Sequence, residues 1–320
     1  MKNYSPKISI IVPVFNCESL VSFTLESILA QTFEDWECIL INDHGADNVF
    51  DVLLNFQSKD DRFKVFQKPK QLKQGANISR NYGFSLSKGT FVKWFDCDDI
   101  MNPNHLELVY KTITQGSLDF VISDAINFDT ESEADLGKPY LFNKDEAVIS
   151  AINLAKNKIG WITDDFFVKR VAVEELKFNE NITSIGDEYN FFVRLLHTTT
   201  KGVFLDETLT RRRIHGNSIT NKKVENEVEN WRRIADVKYH TAKDLMMYRR
   251  DSELIRWFLS GYMQYSFDIA LKKHTIPFKM SACMMINEYF SYTKGFAFLF
   301  SLFLAKNFKK GYNLMKYARS

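Results

Sequence analysis

The sequence predicts an α/β protein in which a mostly parallel sheet is flanked by helices and followed by a helical carboxyl-terminal region. Short apolar runs alternate with segments of helical period from residue 8 to residue 123. This alternation is typical of a parallel sheet covered on both faces. From about residue 224 onward the period is helical to the end, with few glycines or prolines. We therefore predict two regions, residues 1–220 and residues 221–320.

The first region contains a regular succession of predicted elements. Apolar runs predict strands, and apolar residues spaced three and four positions apart predict helices. Strands are predicted at residues 8–14, 37–41, 63–67, 91–95 and 120–123, and helices at residues 18–30, 77–87 and 104–115. The acidic segment Asp129–Lys138 has no period and is predicted to be a surface loop. Residues 202–205 and 208–214 are predicted to form a small hairpin or sheet edge.

Composition excludes several classes of protein. The chain has 42 basic and 40 acidic residues, so it carries no broad electrostatic footprint for nucleic acid, and no nucleic-acid partner is expected. Its four cysteines are far apart without a Cys-x-x-Cys spacing, which argues against a zinc knuckle or a disulfide framework. The first seven residues lack the apolar core of a signal peptide, and no run approaches the roughly 20 apolar residues of a membrane-spanning helix. We therefore expect a cytoplasmic chain.

Three carboxylates follow the predicted strand at residues 91–95. The segment Phe95-Asp-Cys-Asp-Asp99 crowds them together, and like charges repel unless a cation shares them. Hard oxygen ligands suit Mg²⁺ or Mn²⁺, and Mg²⁺ usually binds through one or two carboxylates together with substrate phosphates. The segment therefore predicts a divalent metal that holds a diphosphate. The alternative is a solvated acidic turn that caps the helix at Asn104.

A second polar segment, Gly75-Ala-Asn-Ile-Ser-Arg-Asn-Tyr-Gly83, precedes the acidic one. Arg80 on its predicted helix could form a charge-assisted bond with a carboxylate or a phosphate. The alternative for Arg80 is a surface cation. The segment is not a dinucleotide-binding fingerprint, because no Gly-x-Gly-x-x-Gly follows the first strand.

Five segments together resemble the successive motifs of the family 2 glycosyltransferases, which are inverting enzymes with the GT-A fold. These segments are Ile8–Asn16, Gln31–Phe33, Ile41–Asp43, Gly75–Gly83 and Phe95–Asp99. The resemblance implies that a nucleotide sugar is bound by Pro13, Val14, Asn16, Asp43, Arg80 and Asp96. In this arrangement Asp43 contacts the nucleotide base. It also implies that Asp98 binds the metal, Mn²⁺ or Mg²⁺. One departure is His44, which stands where the family often has glycine.

Two later segments extend the resemblance. Gly186–Leu195 is similar to the helix start that supplies the catalytic base, with the usual order of Glu and Asp reversed. Counting back from Arg194 puts Glu188 at the base position and Asp187 beside it, three residues after Ser184, as in a capping pair. The alternative for Glu188 is a salt bridge to an arginine of 211–213.

The segment Arg211-Arg-Arg-Ile-His215-Gly-Asn-Ser218 resembles the basic strand of the family that ends in His then Ser. The resemblance implies that His215 ligates the metal or touches the diphosphate. It also implies that the arginines, among them Arg213, hold the leaving phosphates. Without the resemblance, His215 would be an ordinary surface or core residue.

The function implied by the resemblance is that of an inverting, metal-dependent glycosyltransferase of the hexosyltransferase type. The donor would be a nucleotide diphosphate sugar, most often a UDP-sugar in this family. The acceptor would be the hydroxyl of a saccharide or a lipid-linked saccharide, in surface polysaccharide or glycolipid synthesis. A nucleotidyltransferase would carry a Gly-rich loop after the first strand instead of Pro13-Val-Phe-Asn16, and a non-catalytic module would be expected to lose Asp98 or Glu188.

The carboxyl-terminal segment admits two interpretations. Residues 289–320 contain six cations and no acidic residue, and Phe296–Ala305 is almost wholly apolar but too short to span a membrane. The sequence favours a buried helix with a solvated basic end. The alternative is peripheral contact with the inner face of a membrane.

Overall fold

The chain divides into two structural units in the computed structural model, which describes residues 5–182, 186–215, 226–248 and 251–320. One unit contains residues 1–180 and 195–218, and the other contains residues 181–194 and 219–320. The predicted boundary near residue 220 lies outside the described residues.

The first unit is built on a mixed sheet. Its strands are β1 Ile8–Val14, β2 Trp36–Asn42, β3 Phe63–Gln67, β4 Phe91–Trp94, β5 Ile100–Met101, β6 Phe120–Asp129, β7 Asp135–Gly137, β8 Phe166–Lys169 and β9 Gly202–Ile214. Within the described chain they follow the order β3-β2-β1-β4-β8-β6-β9-β5, with β7 beside β6. The pairs β3–β2, β2–β1, β1–β4 and β6–β9 are parallel, and β8 runs antiparallel to β4 and β6.

Helices flank this sheet, as the fold class requires. They are α1 Glu18–Leu29, α2 Val49–Lys59, α3 Ala76–Leu86, α4 His105–Gln115, α5 Ala151–Ala155 and α6 Arg170–Val173. The next helix, α7 Asp187–Thr198, belongs to the second unit as far as residue 194. Helix α3 lies very close to β1, because a Cβ on Gly83 would stand 2.5 Å from Cγ2 of Ile11. Only glycine permits that approach, which brings the polar face of α3 to the carboxyl ends of the strands. The predicted α/β class is thus confirmed.

Two local predictions were wrong in part. Residues 202–214 form no hairpin but a single strand, β9, which pairs in parallel with β6. The register shifts near Asp124, where the exposed Asp206 and Glu207 interrupt the apolar pattern that a strand would show. The acidic segment Asp129–Lys138 is exposed as expected, but it contains β7, which pairs with β6.

The second unit is helical. Its helices after α7 are α8 Glu227–Tyr248, α9 Ser252–Leu271, α10 Lys279–Tyr289, α11 Tyr292–Phe308 and α12 Tyr312–Arg319. Helix α9 packs against all four of the others. Asp251 caps α9 by accepting a hydrogen bond from the amide of Leu254, and Ser291 caps α11 in the same way through Lys294. None of the described helices is both long and apolar enough to cross a bilayer.

Candidate active site at the carboxyl ends of the strands

Asn16 connects the loops that follow β1 and β2. It adopts the left-handed conformation, with φ of 48°, which asparagine tolerates better than most residues. The amide of Ala46 donates to Oδ1 of Asn16 at 2.7 Å. A Cβ on Gly45 would stand 2.7 Å from the same oxygen, so the two loops are in direct contact. Asn16 therefore shapes the edge of the sheet where β1 ends, next to the buried Val14 and the half-buried Pro13.

Asp43 is buried at the end of β2 and has protein partners on both carboxylate oxygens. Oδ1 forms an ion pair with the buried ammonium of Lys68, and Oδ2 accepts from the amide of Gly75 at 2.8 Å. These contacts fasten the end of β2 to the start of α3. The next residue, His44, has φ of 57°, a conformation that glycine adopts readily, and Nε2 of Gln67 lies 2.7 Å from its Nδ1.

Arg80 is buried on α3 rather than free on the surface. Its guanidinium donates to Oδ1 of Asp96 at 3.0 Å and to Oδ1 of Asn77 at 3.3 Å, and it lies over the ring of Phe178. A buried guanidinium holds its partner more rigidly than a solvated one, because less rotamer freedom remains and water competes less. Arg80 thus orients the Asp96 carboxylate, whose side chain remains 46% exposed.

The three carboxylates after β4 differ in environment. Asp96 and Asp98 are partly exposed, whereas Asp99 is buried and its Oδ1 accepts from the amide of Arg213 at 2.8 Å. Burial raises the pKa of Asp99 well above its ordinary range, and the carboxylates of Asp164 and Asp98 raise it further. The segment therefore has two carboxylates that face outward, those of Asp96 and Asp98, and one that is buried, that of Asp99. The alternative of a wholly solvated acidic turn does not describe it.

Strand pairing brings His215 to Asp98. Ile100 of β5 pairs antiparallel with Arg211 of β9, so the chain running back to Asp98 lies beside the chain running forward to His215. Nε2 of His215 stands 3.0 Å from Oδ2 of Asp98. Arg213 supports this arrangement, since its Nε donates to the carbonyl of Asp98 at 3.0 Å. Its guanidinium lies over the rings of Phe23 and Phe128.

A divalent cation fits this donor pair. A carboxylate and an imidazole are common metal ligands, and Mg²⁺ or Mn²⁺ completes its coordination with water and phosphate oxygens. Within the described ranges, no group of three or more His, Cys, Asp or Glu side chains is arranged to hold a metal. Asp98 and His215 are the side chains that would hold such a cation, and a bound diphosphate would supply further ligands.

A buried polar cluster beneath the acidic segment was missed by sequence reasoning. Oδ1 of Asp164 accepts from the amide of Asp96 at 2.9 Å, and the ammonium of Lys93 donates to the carbonyl of Asp164. Burial lowers the pKa of Lys93 to about 8 and raises the pKa of Asp165 to about 7. The available signal was a lone lysine inside the apolar run 91–95 and paired acids directly before the apolar run of β8.

The predicted base segment belongs to the second unit as far as residue 194. Helix α7 begins at Asp187, next to Gly186 with φ of 88°, and Glu188 is half-buried in its first turn. Nδ2 of Asn190 donates to Oδ2 of Asp244 at 2.9 Å, which anchors α7 to α8. Ser184 and the side chain of Asp187 lie outside the described residues, so their predicted capping role stays a prediction.

Comparison with known proteins assigns the chain to a family. Residues 9–167 match the model described as Glycosyl transferase family 2, and the chain belongs to this family. Among curated relatives, glycosyltransferase GlyG of Streptococcus pneumoniae is 33% identical over 39% of this chain and 41% of its own length. The GalNAc(5)-diNAcBac-PP-undecaprenol beta-1,3-glucosyltransferase of Campylobacter jejuni is 31% identical over 59% and 60%. The chain thus spans between two fifths and three fifths of these relatives.

Solved structures support the GT-A-like fold. Residues 1–349 of Staphylococcus aureus TarS in complex with UDP-GlcNAc align with a TM-score of 0.65 at 15% identity, over 98% of this chain and 90% of that one. The mannosyltransferase PcManGT of Pyrobaculum calidifontis, in complex with GDP-Man and Mn²⁺, aligns with a TM-score of 0.52 at 12% identity, over 96% and 89%. At such identities the similarity concerns the fold alone.

Proposed function

We propose that this protein transfers a sugar from a nucleoside diphosphate donor to an acceptor hydroxyl with inversion at the anomeric carbon. The observation that carries this proposal is the 3.0 Å approach of His215 to Asp98 at the strand ends, beside the carboxylate that Arg80 orients. Such a site combines ligands for a cation with cationic side chains, which is what a diphosphate leaving group requires.

The proposed cofactor is Mn²⁺ or Mg²⁺, held by Asp98 and His215. When bound, the cation would neutralise the negative charge that gathers on the leaving diphosphate. Asp99 is not a ligand in this proposal, because its carboxyl group is buried and accepts from the amide of Arg213. The PcManGT structure, which contains Mn²⁺, supports a divalent cation for this fold.

The proposed donor is a UDP-sugar, bound along Pro13, Val14, Asn16, Asp43 and Asp96. Complexes of TarS with UDP and with UDP-GlcNAc support the choice of uridine. Asn16 and Asp43 lie where β1 and β2 end, and both are fixed by backbone amides, so this part of the nucleotide site would be preorganised. In this proposal Arg80 orients the carboxylate of Asp96, and Arg213 holds the phosphates of the donor.

The proposed general base is Glu188. The neighbouring Asp187 has a structural role in this proposal, at the start of the helix. The acceptor hydroxyl attacks the anomeric carbon, the bond from that carbon to the diphosphate oxygen breaks, and Glu188 takes the hydroxyl proton. Support comes from the half-buried position of Glu188 in the first turn of α7, one turn ahead of the buried Phe191 and Phe192.

The proposed acceptor is a saccharide or a lipid-linked saccharide in surface polysaccharide or glycolipid synthesis. The relative in Campylobacter jejuni supports this class, since its name gives an undecaprenol-linked saccharide as the acceptor.

The test is nucleoside diphosphate release by the full chain from a panel of nucleotide sugars, with Mn²⁺, Mg²⁺ or a chelator. We expect release with metal only, and a loss on the order of a hundredfold in Asp98→Asn. Asp61→Asn is the matched control, because Asp61 is an exposed carboxylate in the same unit. Full activity in the chelator, or in Asp98→Asn, would show that the metal assignment is wrong.

A further inference from the structure

Helix α11 has no polar face. Gly295, Phe298, Leu302 and Ala305 are buried on one side, where α11 packs against α9, α10 and α12. A helix on the surface of a globular unit normally presents polar residues on the opposite side. Here that side carries four aromatic residues, Tyr292, Phe296, Phe300 and Phe303, whose exposed fractions are 81%, 70%, 44% and 53%. We call these four residues the aromatic face.

From Phe296 to Phe303 the aromatic face is a continuous ridge rather than a scatter of single residues. The ring centroids of Phe296 and Phe300 are 5.9 Å apart with nearly parallel planes, and those of Phe300 and Phe303 are 6.2 Å apart. Phe308, which is also exposed, lies edge-on to Phe303 with centroids 6.0 Å apart. Contiguous exposed apolar surface of this kind marks a binding surface, whereas isolated exposed apolar residues do not.

Unpaired positive charge follows the ridge along the chain. Lys306, Lys309 and Lys310 follow Phe303 within two turns, and Lys316 lies on α12. All four are exposed, and none of them forms an ion pair with any residue that the structure describes. We call these four lysines the basic end. No acidic residue occurs between residues 289 and 320 to offset them.

We propose that the aromatic face and the basic end dock this protein on the surface of an anionic lipid bilayer. Aromatic rings are favoured at the level of the lipid headgroups, and lysines close to them are attracted to anionic lipids. The helix is too short and too well packed on its other side to insert across the bilayer. It would lie in the plane of the interface, with α9 and α10 behind it.

Charge argues against a second copy of the chain as the occupant. In a two-fold dimer the same patch meets itself, so two basic ends would enter one interface with no acidic residue between 289 and 320 to compensate them. An anionic bilayer compensates all four lysines at once. The proposal does not depend on the sugar-transfer activity, because binding to lipid is measured without donor or acceptor.

The experiment is flotation of the full chain with vesicles of phosphatidylcholine alone and of phosphatidylcholine with phosphatidylglycerol. We expect the protein to float with the anionic vesicles, to stay at the bottom with the neutral ones, and to be released by high salt. In Lys306→Gln with Lys310→Gln, the partition coefficient should fall by about 25-fold, since each lysine near an anionic surface contributes about fivefold. Phe296→Gln with Phe303→Gln should lower it by tenfold or more.

Matched controls come from the first unit. Leu141→Gln with Val171→Gln removes two exposed apolar residues, and Lys70→Gln with Lys158→Gln removes two exposed lysines. These controls should bind as the wild type does. All variants should melt at the wild-type temperature, because the side chains replaced are exposed. If the double phenylalanine variant unfolds, the single variant Phe296→Gln replaces it in the flotation test, because a ring that is 70% exposed contributes little to folding.

Three outcomes would overturn the proposal. The first is a wild-type chain that stays at the bottom of the gradient with anionic vesicles, or that floats equally with neutral ones. The second is unchanged binding in both patch variants. The third is a dimer, seen by light scattering, that dissociates when Phe296 and Phe303 are replaced, because the face would then be an interface between copies of the chain.

Discussion

Replacing Lys93 with methionine tests the buried cluster that lies beneath the acidic segment. Lys93 is fully buried on β4, between β1 and β8, and its ammonium donates to the carbonyl of Asp164. Burial raises the pKa of Asp164 and of Asp165, and the positive charge of Lys93 offsets part of that rise in both acids. Methionine has a similar length and no charge, so the substitution removes the cation with little change in packing.

The expected cost follows from the acids that would lose their partner. Lys93 acts on Asp164 and Asp165 through Coulombic attraction. Removal of a compensating charge from a buried pair costs about 3–5 kcal/mol, because the remaining charge is buried without compensation. For a protein of this size each kcal/mol lowers the melting temperature by about 2–3 °C, so Lys93→Met should melt about 6–15 °C below the wild type. Lys158→Met, at an exposed lysine of the same unit, should melt within about 1 °C of it.

A second substitution tests whether the buried acids cause this loss of stability. Asp165→Asn added to Lys93→Met removes one uncompensated acid, and neutral pairs of similar volume often replace buried ion pairs at little cost. The double variant should therefore recover most of the lost stability in thermal melts at pH 7.5. If Lys93→Met melts like the wild type, or if the double variant is no better than the single one, Lys93 does not stabilise these acids.

The same pair predicts a dependence of stability on pH. The pKa of Asp165 is raised to about 7, so the folded state binds more protons than the unfolded state below that pH, and stability falls as pH rises from about 4 to about 7. The pKa of Lys93 is lowered to about 8, so stability rises again between about pH 8 and pH 10.5. The free energy of unfolding of the wild type, relative to that of the double variant, should therefore be lowest between pH 7 and pH 8. A difference that stays constant across pH 5–10 would contradict this.

Other predictions concern the site itself. Thr24→Val should lower stability by about 1–2 kcal/mol in denaturant melts, because the buried hydroxyl lies 2.9 Å from the carbonyl of Cys97 and steadies the acidic segment; an unchanged midpoint would contradict this. His215→Ala should raise the Mn²⁺ concentration needed for half-maximal diphosphate release, and an unchanged requirement would remove His215 from the metal site. Glu188→Gln should lower kcat on the order of a hundredfold with Asp187→Asn nearly normal, and the opposite result would exchange their roles.

Much of the first unit could be predicted because its elements are short and repetitive. The strand at residues 63–67 was predicted with its observed bounds, although only Phe63 in it is buried. The same holds for β1, which is a buried and nearly continuous apolar run, as parallel strands usually are. Strand β9 was divided into two runs because Asp206 and Glu207 face solvent where its register with β6 shifts. A local pattern contains no information about such a shift, which depends on the partner strand.

The site was predicted in its residue types but not in its internal arrangement. Asp96, Asp98 and Asp99 form one acidic segment in the sequence, and nothing local separates them. Their division into outward and inward acids depends on the amide of Arg213, which is 114 residues away and donates to Asp99. Pairing of β5 with β9 decides this contact, and that pairing could not be predicted because β5 has only two residues.

The buried acids Asp164 and Asp99 explain how the exposed acids Asp96 and Asp98 are held in position without substrate. Asp164 fixes the amide of Asp96, and Asp99 fixes the amide of Arg213, so two carboxyl groups that lie below the surface set the backbone of both sides of the site. An acid in this role is costly to bury, and the cluster tolerates it because Lys93 compensates part of the charge and because the pKa of Asp99 and of Asp164 is raised. Loss of the cluster should therefore disturb the position of Asp98 before it unfolds the sheet, which is why stability and metal requirement need to be measured on the same variants.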